Sequence, residues 1–246
     1  MKHVRKLLCT GYGLLLLSRY LKVFDAKHFK GKRIAIVGPA NSAYNTGKGG
    51  YIDNFDIVVR VNKAPILVKS GKFKLDIGSK TDILFHSFLE NERTGGGTLN
   101  LNLYEELGIK YIINPIPGYF GIRNILNFYK KYFLRHKMYI LPKRYYDDIK
   151  ARFGSYRPTT GFAAMQFLLN TDFSELYITG FTFFKTAYGD GYRDELKDIK
   201  INQKHIASEN QHSPEIEFQE FKRILVKNCH KTVIMDSVLT TILKQN

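Results

Sequence analysis

At 246 residues, with 44% hydrophobic side chains, the chain is long enough for one sizeable core and too apolar to be disordered. Lys and Arg outnumber Asp and Glu by 38 to 22, a formal charge of +16, which favours anionic partners such as a nucleic acid, an acidic membrane face or a charged substrate. The charge is spread along the chain and forms no basic tail, so nucleic acid stays open without being singled out and is not the partner expected, and two distant cysteines, Cys9 and Cys229, give no disulfide framework or zinc cluster and suit a reducing compartment.

Residues 1–30 read as a basic amphipathic N-terminal segment. Lys2, His3, Arg5 and Lys6 precede the apolar stretch Leu7 to Leu17, and Arg19 and Lys22 follow it. That stretch covers only about half a membrane span. It is expected to pack as a helix on the domain or to lie on an anionic membrane surface. A signal or short signal-anchor is the alternative, although no small-residue cleavage site stands out.

Residues 31–246 read as one domain. Short Ile-, Val-, Leu- and aromatic-rich runs predict strands at Arg33–Val37, Asp56–Val61, Asp82–His86, Tyr111–Asn114, Met138–Leu141, Leu176–Thr179 and Thr232–Met235. Helical patterns cover Leu101–Leu107, Ile122–Arg135, Arg144–Phe153, Phe162–Asn170 and Glu215–Lys227. Strand and helix alternate, which predicts an α/β fold: a single Rossmann-like domain with a mainly parallel sheet. Arg93–Thr98, with three consecutive glycines, reads as a mobile surface loop. In such sheets ligands bind beyond the carboxyl ends of the strands, so the residues after each strand are the candidates.

Four segments stand there. The first, Ile34 to Ser42, runs a buried strand into a small-residue loop. Gly38 and Ala40 let a ligand approach the backbone, and Asn41 and Ser42 can hydrogen-bond it. An ordinary strand-to-loop turn remains the plain alternative. No Gly-x-Gly-x-x-Gly follows the strand, and Gly47-Lys48 is followed by Gly49, so neither a dinucleotide nor a P-loop signature is met. The second segment, Gly47 to Pro65, ends a strand of Ile and Val with Arg60 and Asn62. Arg60 needs a partner, with Asp53 or Asp56 the structural choice, while Asn62 falls at the ligand edge.

The third segment is Arg157-Pro158-Thr159-Thr160-Gly161-Phe162, continued by Glu175 to Phe181. Thr159 or Thr160 is a natural N-cap, and the free N–H groups behind it form an anion site. The threonines can equally serve only as caps. The fourth segment is His212-Ser213-Pro214-Glu215-Ile216-Glu217-Phe218. Ser213 suits the N-cap and Pro214 the first helical position. A histidine just before a positive helix end is held neutral, as a general base requires, although a surface His before a capped helix has the same spacing.

Together the four segments resemble the motifs of the glycosyltransferase family that holds the animal sialyltransferases, the eukaryotic-type family 29. Ile36 to Pro65 is similar to the large sialylmotif, Thr159 to Phe181 to the small one, and His212 with Glu217 to the very short motif. The order and spacing agree from about Gly31 to Phe221. The resemblance implies a sialyltransferase variant of the GT-A-like fold. It also implies a CMP-sugar donor, with Gly38, Asn41, Ser42 and Asn62 at the nucleotide, Thr159, Thr160 and Gly161 at the donor anions, and His212 as base. The family carries a His-containing motif between the small and very short motifs. Here Thr186 to Asp194 stands in that place, and Tyr188, Tyr192, Arg193 or His205 is left to meet the phosphate.

The family's animal enzymes link the two larger motifs by a disulfide, and neither motif here has a Cys. That suits a bacterial or viral member acting in the cytoplasm, peripheral at a membrane, with a Golgi-type signal-anchored enzyme as the alternative. No cofactor is expected, and no metal. CMP leaves with one phosphate, and no two aspartates stand two positions apart as in an Asp-x-Asp site. The expected reaction is inverting transfer of sialic acid to a hydroxyl of a glycan or glycolipid acceptor. A CMP-Kdo-dependent transferase and an inactive nucleotide- or glycan-binding relative remain alternatives.

Overall fold

The structure, a computed structural model, describes residues 2–91 and 95–245. Eight strands form one sheet: β1 (Leu21–Val23), β2 (Arg33–Val37), β3 (Ile57–Val61), β4 (Ile83–Phe85), β5 (Tyr111–Asn114), β6 (Met138–Ile140), β7 (Glu175–Thr179) and β8 (Val233–Met235). Their order is β1-β6-β5-β4-β3-β2-β7-β8, and every pairing is parallel. Both faces of such a sheet are covered, which is why the central strands read as unbroken apolar runs instead of alternating ones.

Eleven helices are present among the described residues: α1 (Lys2–Tyr20), α2 (Gly49–Asp53), α3 (Ala64–Ser70), α4 (Lys74–Ile77), α5 (Leu101–Glu106), α6 (Tyr119–Tyr132), α7 (Lys143–Lys150), α8 (Thr160–Leu169), α9 (Ile199–Glu209), α10 (Pro214–Lys227) and α11 (Ser237–Lys244). The pleat sorts the core into two layers. Ile34, Ile36, Val59, Val61, Phe85 and Ile178 point to the face covered by α7, α8, α10 and α11. Ala35, Val37, Val58 and Tyr177 point to the other face, with the packing of α1, α5 and α6 continuing that layer around Leu84, Ile112 and Met138. Helix α8 is buried from Phe162 to Leu169 and apolar all round there except at Gln166.

The seven predicted strands are present, and β1 is an eighth. It places residues of the 1–30 segment at the sheet edge, paired with β6, while Phe24 and Phe29 enter the main core. Helix α1 packs on α6, with Leu16 among Ile125, Phe128 and Tyr129. Its opposite face leaves Val4, Leu7, Leu8 and Leu15 exposed. No helix among the described residues is long and apolar enough to cross a membrane. Helix α6 stops three residues before its predicted end because Phe133 turns left-handed and its N–H caps the Tyr129 carbonyl.

Two local expectations are corrected. Arg60 pairs with neither Asp53 nor Asp56. Fully buried, it donates to the carbonyls of Ile77 (2.6 Å) and Lys80 (3.1 Å) and to Thr81 Oγ1 (3.0 Å). Burial lowers its pKa to about 10, with the Asp53 charge opposing, so it remains a cation that ties the α4–β4 loop to β3. Of the predicted Arg93–Thr98 loop, residues 93 and 94 lie outside the described residues, and Gly96 is buried. Its carbonyl accepts the Nε2 hydrogen of His86 at 2.8 Å, and His86 Nδ1 accepts the Phe88 N–H at 2.9 Å. Desolvation drives the His86 pKa to about 4, so this is a neutral structural histidine.

Candidate active site

From β2 the chain winds outward through β3 to β6 in one direction and returns to β7 and β8 on the other side. The strand order therefore reverses between β2 and β7, the place where doubly wound sheets open a crevice. Val37 lies level with both Arg60 and Thr179, so β2, β3 and β7 end together. The loops after them come unusually close at one point. A Cβ on Gly38 would lie 2.3 Å from the Gly180 carbonyl oxygen, and a Cβ on Gly180 2.4 Å from that of Gly38. Only glycine fits at either position, and Gly180 also has a φ of +75°.

An open cavity of about 220 Å³ stands at this point. Asn62 lines it from the end of β3, and Thr159, Thr160 and Gly161 line it from the start of α8. Tyr188 and Tyr192 enter from the loop after β7, and His212 from just before α10. Seven of the ten predicted site residues thus share one cavity. The other three do not line it. Gly38 serves the close backbone crossing described above. Asn41 is exposed, and its N–H donates to the Ala187 carbonyl at 3.0 Å. Ser42 is buried, and its hydroxyl donates to Asp236 Oδ2 at 3.3 Å.

Asp236 is a residue that the sequence reading passed over. Its Oδ2 also accepts Thr179 Oγ1 (3.0 Å) and the Gly180 N–H (2.9 Å), while Oδ1 caps α11 at Leu239 N (2.7 Å). One buried carboxylate therefore holds the loops after β2 and β7 to the start of α11. The only advance signal was an Asp placed as an N-cap before an apolar run.

The starts of α8 and α10 are locked together by Glu217. Its Oε1 accepts the Thr159 N–H at 2.6 Å, and its Oε2 accepts the Thr159 hydroxyl at 3.0 Å, which in turn caps Phe162 N at 3.1 Å. Burial raises the Glu217 pKa to about 8, against the pull of the two Thr159 hydrogen bonds. With Thr159 occupied as cap, the N–H groups of Thr160 and Gly161 keep no intrahelical acceptor at the cavity wall.

His212 Nδ1 sits 2.7 Å from the Arg157 carbonyl oxygen. A carbonyl only accepts, so the ring hydrogen is on Nδ1, and Nε2 is left with a lone pair. Desolvation lowers the imidazole pKa, which keeps it neutral near physiological pH. The guanidinium of Arg157, another cavity residue without a predicted role, lies 4.4 Å over the Phe120 ring.

The opposite wall is carried by residues 184–211. Gly189 N and Asn41 N bond the facing loops at Pro39 O and Ala187 O, which brings Tyr188 and Tyr192 over the strand ends. Tyr192 shares a hydrogen bond with the Asn62 side chain, whose Oδ1 accepts Ser87 N, and Tyr188 shares one with buried Arg193. Burial pushes the Tyr188 hydroxyl up to about 12 and raises Tyr192 as well, so both are neutral donors. Arg193 is paired with Glu195 at 2.9 Å. His205 lines the cavity too. All four candidates for the missing histidine motif are therefore at the site. Among the described residues no cluster of three or more His, Cys, Asp or Glu side chains is placed to hold a metal ion.

A doubly wound parallel sheet with a cavity at its switch point, walled mostly by apolar side chains with a few polar groups among them, has the arrangement in which open α/β folds bind their ligands. The model of glycosyltransferase family 29 (sialyltransferase) matches residues 14–229, and the chain belongs to that family. It is a sialyltransferase-family glycosyltransferase. Its fold is similar to the crystal structure of a mammalian sialyltransferase, with a TM-score of 0.56 and 17% identity over 92% of this chain and 78% of the other. A second mammalian sialyltransferase structure, in complex with Gal-beta-1-3GalNAc-ortho-nitrophenol, overlaps with a TM-score of 0.49 and 19% identity over 80% of this chain and 76% of the other. Comparison with curated protein sequences returns no match.

Proposed function

We propose that this enzyme transfers sialic acid from CMP-sialic acid to a glycan hydroxyl, with inversion, with His212 as general base and without a divalent ion. The observation that carries the reading is the fixed tautomer of His212, a residue that lines a cavity shared with a helix N-terminus and two neutral tyrosines. In the proposed reaction Nε2 takes the proton of the acceptor hydroxyl as that oxygen attacks the anomeric carbon. The bond to the CMP phosphate oxygen breaks on the opposite face, and CMP leaves as the anion. Its charge is met by N–H groups at α8 and by Tyr188, Tyr192 or Arg193.

A donor screen tests this. CMP-Neu5Ac, CMP-Kdo and UDP-sugars are compared by nucleotide release with and without a galactoside acceptor. Release of CMP from CMP-Neu5Ac alone supports the reading, preference for CMP-Kdo replaces the donor, and release of UDP sinks it.

We also infer that α1 attaches the enzyme to an anionic lipid surface without spanning it. The outward stripe of Val4, Leu7, Leu8 and Leu15 is flanked by exposed Arg5 and Arg19. Co-flotation with phosphatidylserine vesicles, lost on Leu8→Glu plus Leu15→Glu, is the expected result. Self-association of the wild type without vesicle binding would assign the stripe to a second copy instead.

A further inference from the structure

Three buried side-chain polar atoms among the described residues have no hydrogen-bond partner: Tyr44 Oη, Gln166 Oε1 and Asn202 Oδ1. Native proteins leave few such atoms, and each calls for an explanation. Only Asn202 of the three lines the cavity. It is 1% exposed, so bulk water does not satisfy it.

Its helix is unusual in how it faces. Asn202, His205, Ile206 and Glu209, spaced i, i+3, i+4 and i+7, form one stripe along α9, and all four line the cavity. Ile199 and Ile201 are left exposed at 40% and 55%. A helix that serves only to pack does the reverse. The stripe runs from the Arg193 side of the cavity, where α9 begins, to Gln211 and His212, where it ends. Arg193, one of the groups proposed above to meet the leaving phosphate, stands at the first end, and the proposed base at the second.

We infer that α9 is a carbohydrate-recognition helix and that Asn202 Oδ1 accepts a hydrogen bond from a sugar hydroxyl or amide held between those ends. This rests on the transferase reading above. The ligand chemistry is a neutral O–H or N–H donor on a sugar ring, because Oδ1 can only accept. That donor belongs either to the transferred sugar or to the acceptor glycan. His205 and Glu209 supply further polar atoms one and two turns along the same stripe, which makes α9 a specificity-determining element.

The test uses the full chain with Asn202→Leu, close in shape and without an acceptor, and Asn202→Asp, which keeps one. Two assays separate the sources. CMP release into water without an acceptor gives the KM of the donor alone. Transfer at saturating donor gives the KM of the acceptor. Asn202→Leu is expected to raise one of these KM values about tenfold, while Asn202→Asp stays within about threefold of wild type. The KM that rises names the sugar. A deoxy analogue of that sugar should then cost the wild type about tenfold and Asn202→Leu nothing further. Both KM values unchanged in an Asn202→Leu protein that still shows a CMP-induced thermal shift would overturn the inference. A wild type that releases no nucleotide from any CMP-sugar overturns the transferase reading first, and the inference with it.

Discussion

The two walls of the cavity are built on different terms. The wall formed by the strand ends and the starts of α8 and α10 is cross-braced: Asp236 gathers Ser42, Thr179 and Gly180, Glu217 holds Thr159, and Arg157 orients His212. The wall formed by residues 184–211 carries Asn202 with an unpartnered Oδ1 and begins beside two consecutive left-handed residues, Phe183 and Phe184. Groups that must meet a reacting atom within a few tenths of an ångström gain from bracing, because no reorganisation is left for the transition state. Groups that recognise one sugar among many gain from polar atoms left open until the ligand arrives.

The comparison breaks most visibly at His212. His212→Ala is expected to lower kcat by about 10²–10⁴, the usual worth of a positioned base, with CMP affinity unchanged. The acidic limb of kcat/KM reports its protonation. Because desolvation lowers its pKa, that limb should lie below the ordinary imidazole value of 6.5 and vanish in the variant. A variant that keeps most of its rate would move the base to His205, on the adaptable wall.

Next comes the brace at Asp236. Asp236→Ala strands two hydroxyls and one N–H and removes the cap of α11, at an expected cost of about 3 kcal/mol in denaturant unfolding. A loss below about 1 kcal/mol would mean that the glycine crossing alone holds the loops.

Glu217 sharpens the contrast with a smaller effect. Its folded pKa is raised from 4.5 to about 8, so the folded state binds more protons than the unfolded state between those values. Its contribution to stability is therefore full below about pH 4.5 and is lost as pH rises towards about 8. Glu217→Gln should flatten the stability profile in that window and lower kcat by less than about tenfold, since the group braces and takes no proton in the reaction. A profile that keeps its slope would place the titration elsewhere. The smallest effect is expected from chelation: excess EDTA should leave the rate within about twofold, because backbone N–H groups and phenols are proposed to meet the leaving phosphate. Abolition by EDTA with rescue by Mn²⁺ would give the reaction to a metal.

Much of the braced wall was legible. Apolar runs marked β2, β3 and β7, and Thr159 and Ser213 announced the helix starts by capping chemistry alone. Ser42 does not line the cavity, because its spacing shows a hydroxyl at a strand end but not the carboxylate of Asp236, which arrives from 194 positions away. Helix α9 went unseen for the opposite reason. Its inward stripe is largely polar, so the apolar period by which helices are found is missing where function needs it absent. Strand β1 puts Lys22 between Leu21 and an exposed Val23, so no apolar run marks it, and its pairing with β6 is what fixes it.

The parallel order of the sheet also bears on how the chain is made. Strand β2 receives its second neighbour only when β7 exists, and Arg33 meets Glu175 across 142 positions. At about 5–20 residues per second, synthesis leaves that edge of β2 open for roughly 7 to 28 s. Its row of unpaired N–H and C=O groups, set among Ile34, Ile36 and Val37, is an adhesive edge throughout that interval. The strand at the switch point of the finished enzyme is thus the place where a nascent or truncated chain most needs a chaperone.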